Sequence, residues 1–188
     1  MLGNGHVRFG RRVAETGQSK DRHRAAARPH TEHTTGEGKL YLCAVKDAYS
    51  TRIVGYSMDA RMTARLAVSA LHNAIRLRAP VGTIVHSDRG SQFRSHAYVQ
   101  TLHCHHLIGS MGRVGACADN AAMESFFSLL QNNVLDTRSW ATRQDLRLAI
   151  ITWTERTYHR RRRQRTLGKL TPIEYDTLHQ AATATAAA

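Results

Sequence analysis

A mixed α/β architecture, a sheet with helices on its faces, is what this sequence predicts. Three observations carry that prediction. A β-rich hairpin opens the patterned part of the chain, short apolar strands then alternate with segments of helical rhythm, and the last third reads as consecutive helices. An antiparallel start followed by strand–helix alternation gives a sheet that is part antiparallel and part parallel, with both faces covered. The chain has 188 residues, 41% of them apolar, which is one domain with enough material for a core.

Residues 1–33 stand apart from the rest. Gly, Arg, His and Ala dominate, and Arg8, Arg11, Arg12, Arg22, Arg24 and Arg28 follow no periodicity. Low hydrophobicity with high charge predicts a basic, disordered leader. Order is expected from about Thr34, and Gly36-Glu37-Gly38 reads as a turn. Residues 39–46 form a strand around Leu40, Tyr41, Leu42, Cys43, Ala44 and Val45. Asp47-Ala48-Tyr49-Ser50 punctuates the chain, and residues 52–58 return as the second strand of an antiparallel hairpin.

Leu66, Ala67, Ala70, Leu71, Ala74 and Ile75 recur at helical spacing and predict a helix over 63–77, closed by Pro80-Val81-Gly82. A short strand, 83–86, runs into Ser87-Asp88-Arg89-Gly90. A helix over 95–105 and a strand over 107–110 come next. Residues 109–115 read as a Gly-punctuated loop. Met123, Phe126, Phe127, Leu130 and Val134 then form the buried stripe of a helix over 121–135, with Asp119 or Asn120 as its cap. Another helix covers 143–158 and ends in Arg160, Arg161, Arg162 and Arg163. Thr171-Pro172-Ile173-Glu174 has the cap, first-turn proline and reaching carboxylate of a last helix. We expect a core over 34–178 and a frayed Ala-rich tail over 179–188.

Charge narrows the function. Lys and Arg number 27 against 14 Asp and Glu, a net charge of +13. Such a surplus favours a polyanionic partner through long-range attraction and counterion release. No apolar run approaches the ~20 residues of a membrane span. The opening residues also lack the apolar stretch of a signal peptide, so the expected location is cytoplasmic. Cys43, Cys104 and Cys117 form no CxxC pair, which argues against a disulfide framework or a cysteine zinc site. His103-Cys104-His105-His106 lacks a spaced partner pair and reads as surface histidines.

Two carboxylates draw attention. Asp88 follows a buried strand, where α/β sheets bind ligands. Glu124 lies at the edge of an apolar stripe, in the first turn of the predicted helix. The intervening helix, strand and loop permit the chain to return Glu124 beside Asp88. Such a pair could hold Mg²⁺ through oxygen ligands. Equally, Asp88 could be a turn former and Glu124 a partner of the helix dipole. Arg160 to Arg163, with His159 and Arg165, could grip a phosphate backbone or form a solvated helix end.

Several blocks resemble a known family. Gly36-Glu37-Gly38-Lys39-Leu40-Tyr41-Leu42, His86-Ser87-Asp88-Arg89-Gly90-Ser91-Gln92-Phe93 and Asp119-Asn120-Ala121-Ala122-Met123-Glu124-Ser125-Phe126-Phe127 are similar to the integrase catalytic core of bacterial insertion-sequence transposases. Tyr158-His159-Arg160-Arg161-Arg162 and Leu170-Thr171-Pro172-Ile173-Glu174 extend the likeness, which runs from about Glu32 to Leu178. The resemblance implies a ribonuclease H-like fold and DNA integration by a DDE-type transposase, with phosphodiester cleavage and strand transfer at two Mg²⁺ (or Mn²⁺) ions. It implies Asp88 and Glu124 as the second and third acidic ligands. Arg89 and Arg160 to Arg163 would contact DNA, and Ser91 and Gln92 would shape the site. DNA ends, target DNA and a second copy or partner transposase subunit are the implied partners.

The chain departs from the family at the first acidic ligand, whose place is taken by Pro29. Proline cannot ligate a metal, and it removes a ladder donor from a central strand, so that strand is expected to be degraded. Glu32, Asp21 and Asp47 are poor substitutes. We expect residues 1–30 to be an out-of-frame or rearranged leader, and the alternative function to be a non-catalytic DNA-binding or dimerising fragment. A cation that relatives carry two turns beyond the Glu is replaced here by Gln131 and Asn132, with Arg138 nearby.

Overall fold

The computed structural model describes the backbone of residues 24–111 and 117–185, and side chains within 32–111 and 123–179. Five strands form one sheet: β1 (Arg24–Thr35), β2 (Gly38–Asp47), β3 (Ile53–Asp59), β4 (Ile84–Ser87) and β5 (Ile108–Met111). Their spatial order is β3-β2-β1-β4-β5. β1, β2 and β3 form an antiparallel meander, and β4 and β5 continue the sheet parallel to β1. The helices are α1 (Ala64–Arg78), α2 (His96–Cys104), α3 (Cys117–Asn133), α4 (Arg143–Thr152) and α5 (Pro172–Thr185). The predicted mixed sheet with flanking helices is the observed one. No helix among the described residues is long and apolar enough to cross a membrane.

β2 explains why the sheet is covered twice. Alternate side chains of a strand point to opposite faces. Leu40, Leu42 and Ala44 pack with Phe126 and Leu130 of α3 and Leu146 and Ile150 of α4. Cys43 and Val45 pack with Ala70 and Leu71 of α1 and with Tyr98 of α2. A strand buried on both faces reads as an unbroken apolar run, which is why residues 40–45 lack a polar alternation.

α1 lies close on β3 because its contact stripe is small: Ala67, Ala70 and Ala74 are all buried. Opposite them is Gly55, where an added Cβ would stand 2.6 Å from the Ala74 amide nitrogen and 2.8 Å from its methyl. The helix stops at Ala79, which adopts φ 42° and returns its N–H to the Ile75 carbonyl at 2.7 Å. Caps set the other helices. Ser95 Oγ accepts from the Tyr98 amide at 3.3 Å, and Thr142 Oγ1 accepts from the Asp145 amide at 3.0 Å. At α5 the Thr171 amide donates to Glu174 (2.9 Å) while Thr171 Oγ1 accepts from the Glu174 amide (3.3 Å), the reciprocal pair predicted there.

Three elements differ from expectation. β1 begins at Arg24, well ahead of Thr34; residues 1–23 lie outside the described part. Its ladder with β2 runs from Ala25 opposite Asp47 to Thr35 opposite Gly38, and backbone pairing needs no side-chain rhythm. The weakness expected at Pro29 takes the form of a register shift between Pro29 and Thr31. β1 also meets β4 at a single ladder pair, Arg24 with Ile84. α3 starts at Cys117, so Asp119 and Asn120 lie inside the helix and do not cap it, and Glu124 lies beyond its first turn. The loop expected before it falls partly outside the described residues.

The third difference is at the end of α4. The α-helical pattern stops at Thr152, and Trp153–Tyr158 forms a π-type turn, with the His159 amide bonded to the Thr154 carbonyl at 3.0 Å. A π turn inserts a residue and rotates the part of the helix beyond it. Tyr158 and His159 are in consequence both buried and both tied to the β2–β3 connection. Tyr158 Oη donates to the Thr51 carbonyl at 3.2 Å, and His159 Nε2 accepts from the Ile53 amide at 3.1 Å.

Candidate active site at the end of strand β4

β4 ends in buried Ser87 and delivers Asp88, half-buried, to the sheet's carboxyl edge beside β1. Asp88 Oδ1 accepts from the Gly90 amide at 2.7 Å, a local turn that fixes the carboxylate. An added Cβ on Gly90 would lie 2.8 Å from that oxygen and 2.5 Å from Gln92 Nε2. The glycine therefore lets the Asp88 carboxylate and the Gln92 amide occupy one neighbourhood. Gln92 is buried and its Oε1 accepts from Ser91 Oγ at 3.4 Å. Arg89 is exposed.

The floor beneath Asp88 stays uncharged. Burial pushes the Cys43 thiol up to about 12, and the negative charge of Asp88 adds to the rise. Burial also holds the Tyr98 phenol well above its ordinary value, with Cys43 and Asp88 contributing. The Tyr98 hydroxyl has no hydrogen-bond partner among the described residues.

The register of β1 sets Pro29 opposite Cys43, the residue whose thiol feels Asp88. The position at which the resemblance expects a first carboxylate thus pairs with Cys43 in the sheet, and it holds a proline. The other carboxylates nearby are engaged. Glu32 is paired with Lys39 at 2.9 Å. Asp47 is buried in an ionic network: its Oδ2 accepts from Ser50 Oγ (2.7 Å) and lies 3.4 Å from Arg78, which also meets Asp176 at 2.8 Å, and Asp176 meets Arg52 at 2.8 Å. Burial raises the Asp47 pKa, and Arg78 pulls it back. Asp47 anchors the β2–β3 turn to α1 and α5, in keeping with its reading as a turn residue.

Glu124 is exposed on α3, between buried Met123 and Phe126. No group of three His, Cys, Asp or Glu side chains able to hold a metal ion occurs among the described residues. Asp88 and Glu124 have the right chemistry for Mg²⁺, but these residues do not complete a set of three carboxylates.

The basic helix end divides into distinct roles. Arg160 and Arg161 are exposed. Arg162 lies over the Tyr158 ring at 5.8 Å, and Arg163 donates to the Lys169 carbonyl (3.1 Å) and to Glu174 (3.3 Å). His159, grouped with them by sequence, is buried between the Ile53 amide and Glu155, whose Oε2 is 3.1 Å from Nδ1. It is a structural residue, because Nε2 is an acceptor here and Nδ1 carries the proton. Arg138 stacks on Trp140 at 4.2 Å, and Gln131 donates to Asp136 at 2.6 Å. His103, Cys104, His105 and His106 are all exposed, and the His105 ring rests against His72 at 5.9 Å.

Sequence reasoning misses Lys46. It is buried, and its ammonium is pushed down to about 8, first by burial and then by the charge of Arg162. A lysine at a strand end gives no sign of this in sequence, because the burial comes from distant packing.

A sheet of order β3-β2-β1-β4-β5 with helices on both faces defines the ribonuclease H-like fold that integrase cores share. The catalytic core domain of HTLV-2 integrase, solved in complex with magnesium, superposes with a TM-score of 0.59 at 18% identity, covering 80% of this chain and 94% of that one. A chain of the simian T-cell lymphotropic virus intasome, solved in complex with PP2A regulatory subunit B56 gamma, matches at 0.63 and 15% identity over 93% of this chain and 58% of its own. Two integrase core domain profiles match residues 29–117 and 108–172. Transposase InsF for insertion sequence IS3A, from Escherichia coli strain K12, is 41% identical over 143 residues, 76% of this chain and 50% of that protein. The chain belongs to the integrase core family of IS3-type insertion-sequence transposases. It spans about half the length of the curated relatives it matches.

Proposed function

We propose that this chain is the DNA-processing core of a transposase, cleaving phosphodiester bonds at element ends and joining the freed 3′-hydroxyl to target DNA. The observation that carries this reading is Asp88, fixed by the Gly90 amide at the carboxyl end of β4 in an integrase-core sheet. Asp88 and Glu124 are the two acidic positions retained from the family pattern. Arg89 and Arg160 to Arg163 hold DNA phosphates, Arg162 being the partly buried member of the set. Their side chains supply charge and planar forks suited to phosphate oxygens. The net charge of +13 draws DNA to this surface. A second copy or a partner transposase subunit completes the assembly. The HTLV-2 core, solved in a trimeric form, supports an oligomer.

Pro29 favours a second reading, a DNA-binding subunit without cleavage. Nicking of supercoiled plasmid with Mg²⁺ or Mn²⁺ separates the two. Nicking lost in Glu124→Gln supports the enzyme. DNA binding by folded protein without nicking, with nicking gained in Pro29→Asp, supports the non-catalytic subunit. Neither binding nor nicking by folded protein overturns both.

A further inference from the structure

We infer that Arg94 is a DNA-positioning residue: with Arg89 it grips the backbone phosphates that neighbour the one presented to Asp88. The inference deepens the DNA-processing reading and rests on it. Its own ground is the segment between β4 and α2, on which Arg89 and Arg94 are both exposed while Asp88 is half-buried.

That segment is fixed by its own hydrogen bonds. The Gly90 amide donates to Asp88 Oδ1 at 2.7 Å, the Phe93 amide to the Gly90 carbonyl at 3.1 Å, and the Arg94 amide to the Ser91 carbonyl at 3.2 Å. Ser95 Oγ donates to the Gln92 carbonyl at 2.7 Å and accepts from the Tyr98 amide, which ties the segment to α2. Gln92 and Phe93 are buried beneath it, and the Phe93 ring packs edge-on against Tyr98 with centroids 5.0 Å apart. Standard backbone lengths and these bonds hold the Arg94 amide within about 13 Å of the Asp88 carboxylate. One DNA strand advances about 3.4 Å of helix axis per nucleotide, so Arg94 meets the same strand within about four nucleotides of Asp88.

The charge of Arg94 is also uncommitted. Other arginines of this chain are held from within: Arg65 by Asp59, Arg143 by Glu37, and Arg52 and Arg78 by Asp176. Arg89 and Arg94 have no such side-chain partner among the described residues. Their guanidinium donors are therefore open to phosphate oxygens, which they match as planar forks. Because the backbone between Asp88 and Arg94 is fixed, a phosphate held by Arg94 stands in a set place relative to Asp88. Such placement is what a reacting strand needs.

Binding by the full chain in metal-free buffer tests this, through fluorescence anisotropy of a labelled DNA duplex over a series of salt concentrations. Folding of each variant is checked by circular dichroism. Arg94→Gln is expected to weaken binding by about 10-fold or more at low salt, the scale of a charge-assisted bond. It should also reduce the slope of log K against log salt by about 0.9, one phosphate contact. Arg94→Lys keeps the slope because it keeps the charge. Arg65→Gln, which removes a guanidinium already held by Asp59, leaves the slope unchanged. A double-mutant cycle reads the placement. Asp88→Asn relieves repulsion of the same stretch of strand, so it tightens binding more in the parent chain than in Arg94→Gln. Additive effects of the two substitutions overturn the placement of Arg94 beside the reacting phosphate. An unchanged slope in Arg94→Gln, with a lowered one in Arg160→Gln with Arg161→Gln, removes Arg94 from the DNA surface and keeps the DNA reading. Salt-independent binding, or none, by the folded parent chain overturns that reading as well.

Discussion

Lys46 and Asp88 sit on or beside strands of the same sheet and represent opposite uses of charge. Asp88 keeps access to solvent and an amide donor. Lys46 is buried with its charge disfavoured, and linkage gives the sign of its effect. The unfolded chain binds the Lys46 proton up to the ordinary value of 10.5, the folded chain only to about 8. Between these values the unfolded state binds more protons, so stability rises with pH, and below about 8 the cost is fully present. Lys46→Met is therefore expected to stabilise the fold by about 1–3 kcal/mol at pH 7. The gain should shrink as urea melts are moved toward pH 10; an equal gain at both pH values would contradict the burial argument. At the site itself, Gly90→Ala places a methyl against the Asp88 carboxylate and the Gln92 amide. It is expected to lower plasmid nicking by about 10-fold with little change in melting, as a small displacement of reacting groups does.

Among the elements, the ones legible in sequence are those whose side chains carry the pattern. β2, β3, α1 and α5 are readable from apolar runs, a small-residue stripe and a capping box. β1 is not, because Arg24 to Pro29 holds neither alternation nor a large apolar side chain, and the strand exists through its backbone ladder with β2. The π turn is hidden for a different reason: Trp153 to Tyr158 has ordinary helical sequence, and the distortion comes from fixing Tyr158 and His159 on the β2–β3 connection. Two element contacts are open to test. Gly55→Ala forces β3 from α1 against backbone atoms of Ala70 and Ala74, with an expected loss of about 2–4 kcal/mol in denaturant melts. Asp176→Asn strips the network that docks α5 of one charge, leaving Arg52 and Arg78 poorly compensated. Removing one partner of such a buried set is expected to cost about 3–5 kcal/mol, read from the same melts.

For the whole molecule, element order alone is enough for the fold class, whereas the site needs the resemblance. Spacing leaves Asp88 and Glu124 open to bland readings, and the absent first carboxylate is visible only against the family pattern. The basic run misleads in one respect. His159 lies among exposed arginines in sequence, but its burial takes it out of that surface, whereas Arg163 stays exposed and also contacts Glu174. DNA affinity should accordingly fall with salt, and Arg160→Gln with Arg161→Gln should reduce the slope of log K against log salt by about 2, near 0.9 per phosphate contact. Arg163→Gln alone should change the slope less, because Glu174 already shares its charge; a full-unit change would count Arg163 as a full phosphate contact.

The bond from the Ile53 amide to His159 also bears on how the protein is made. β3 is an edge strand, and the ring that closes its amide lies 106 residues further along the chain. At about 5–20 residues per second of synthesis, that edge waits roughly 5–20 s on the ribosome before its cover emerges. During that interval it is a template for a neighbouring nascent chain on the same messenger. Crowded polysomes should thus be a harder environment for this protein than dilute refolding, and the burden should ease when translation is spaced out.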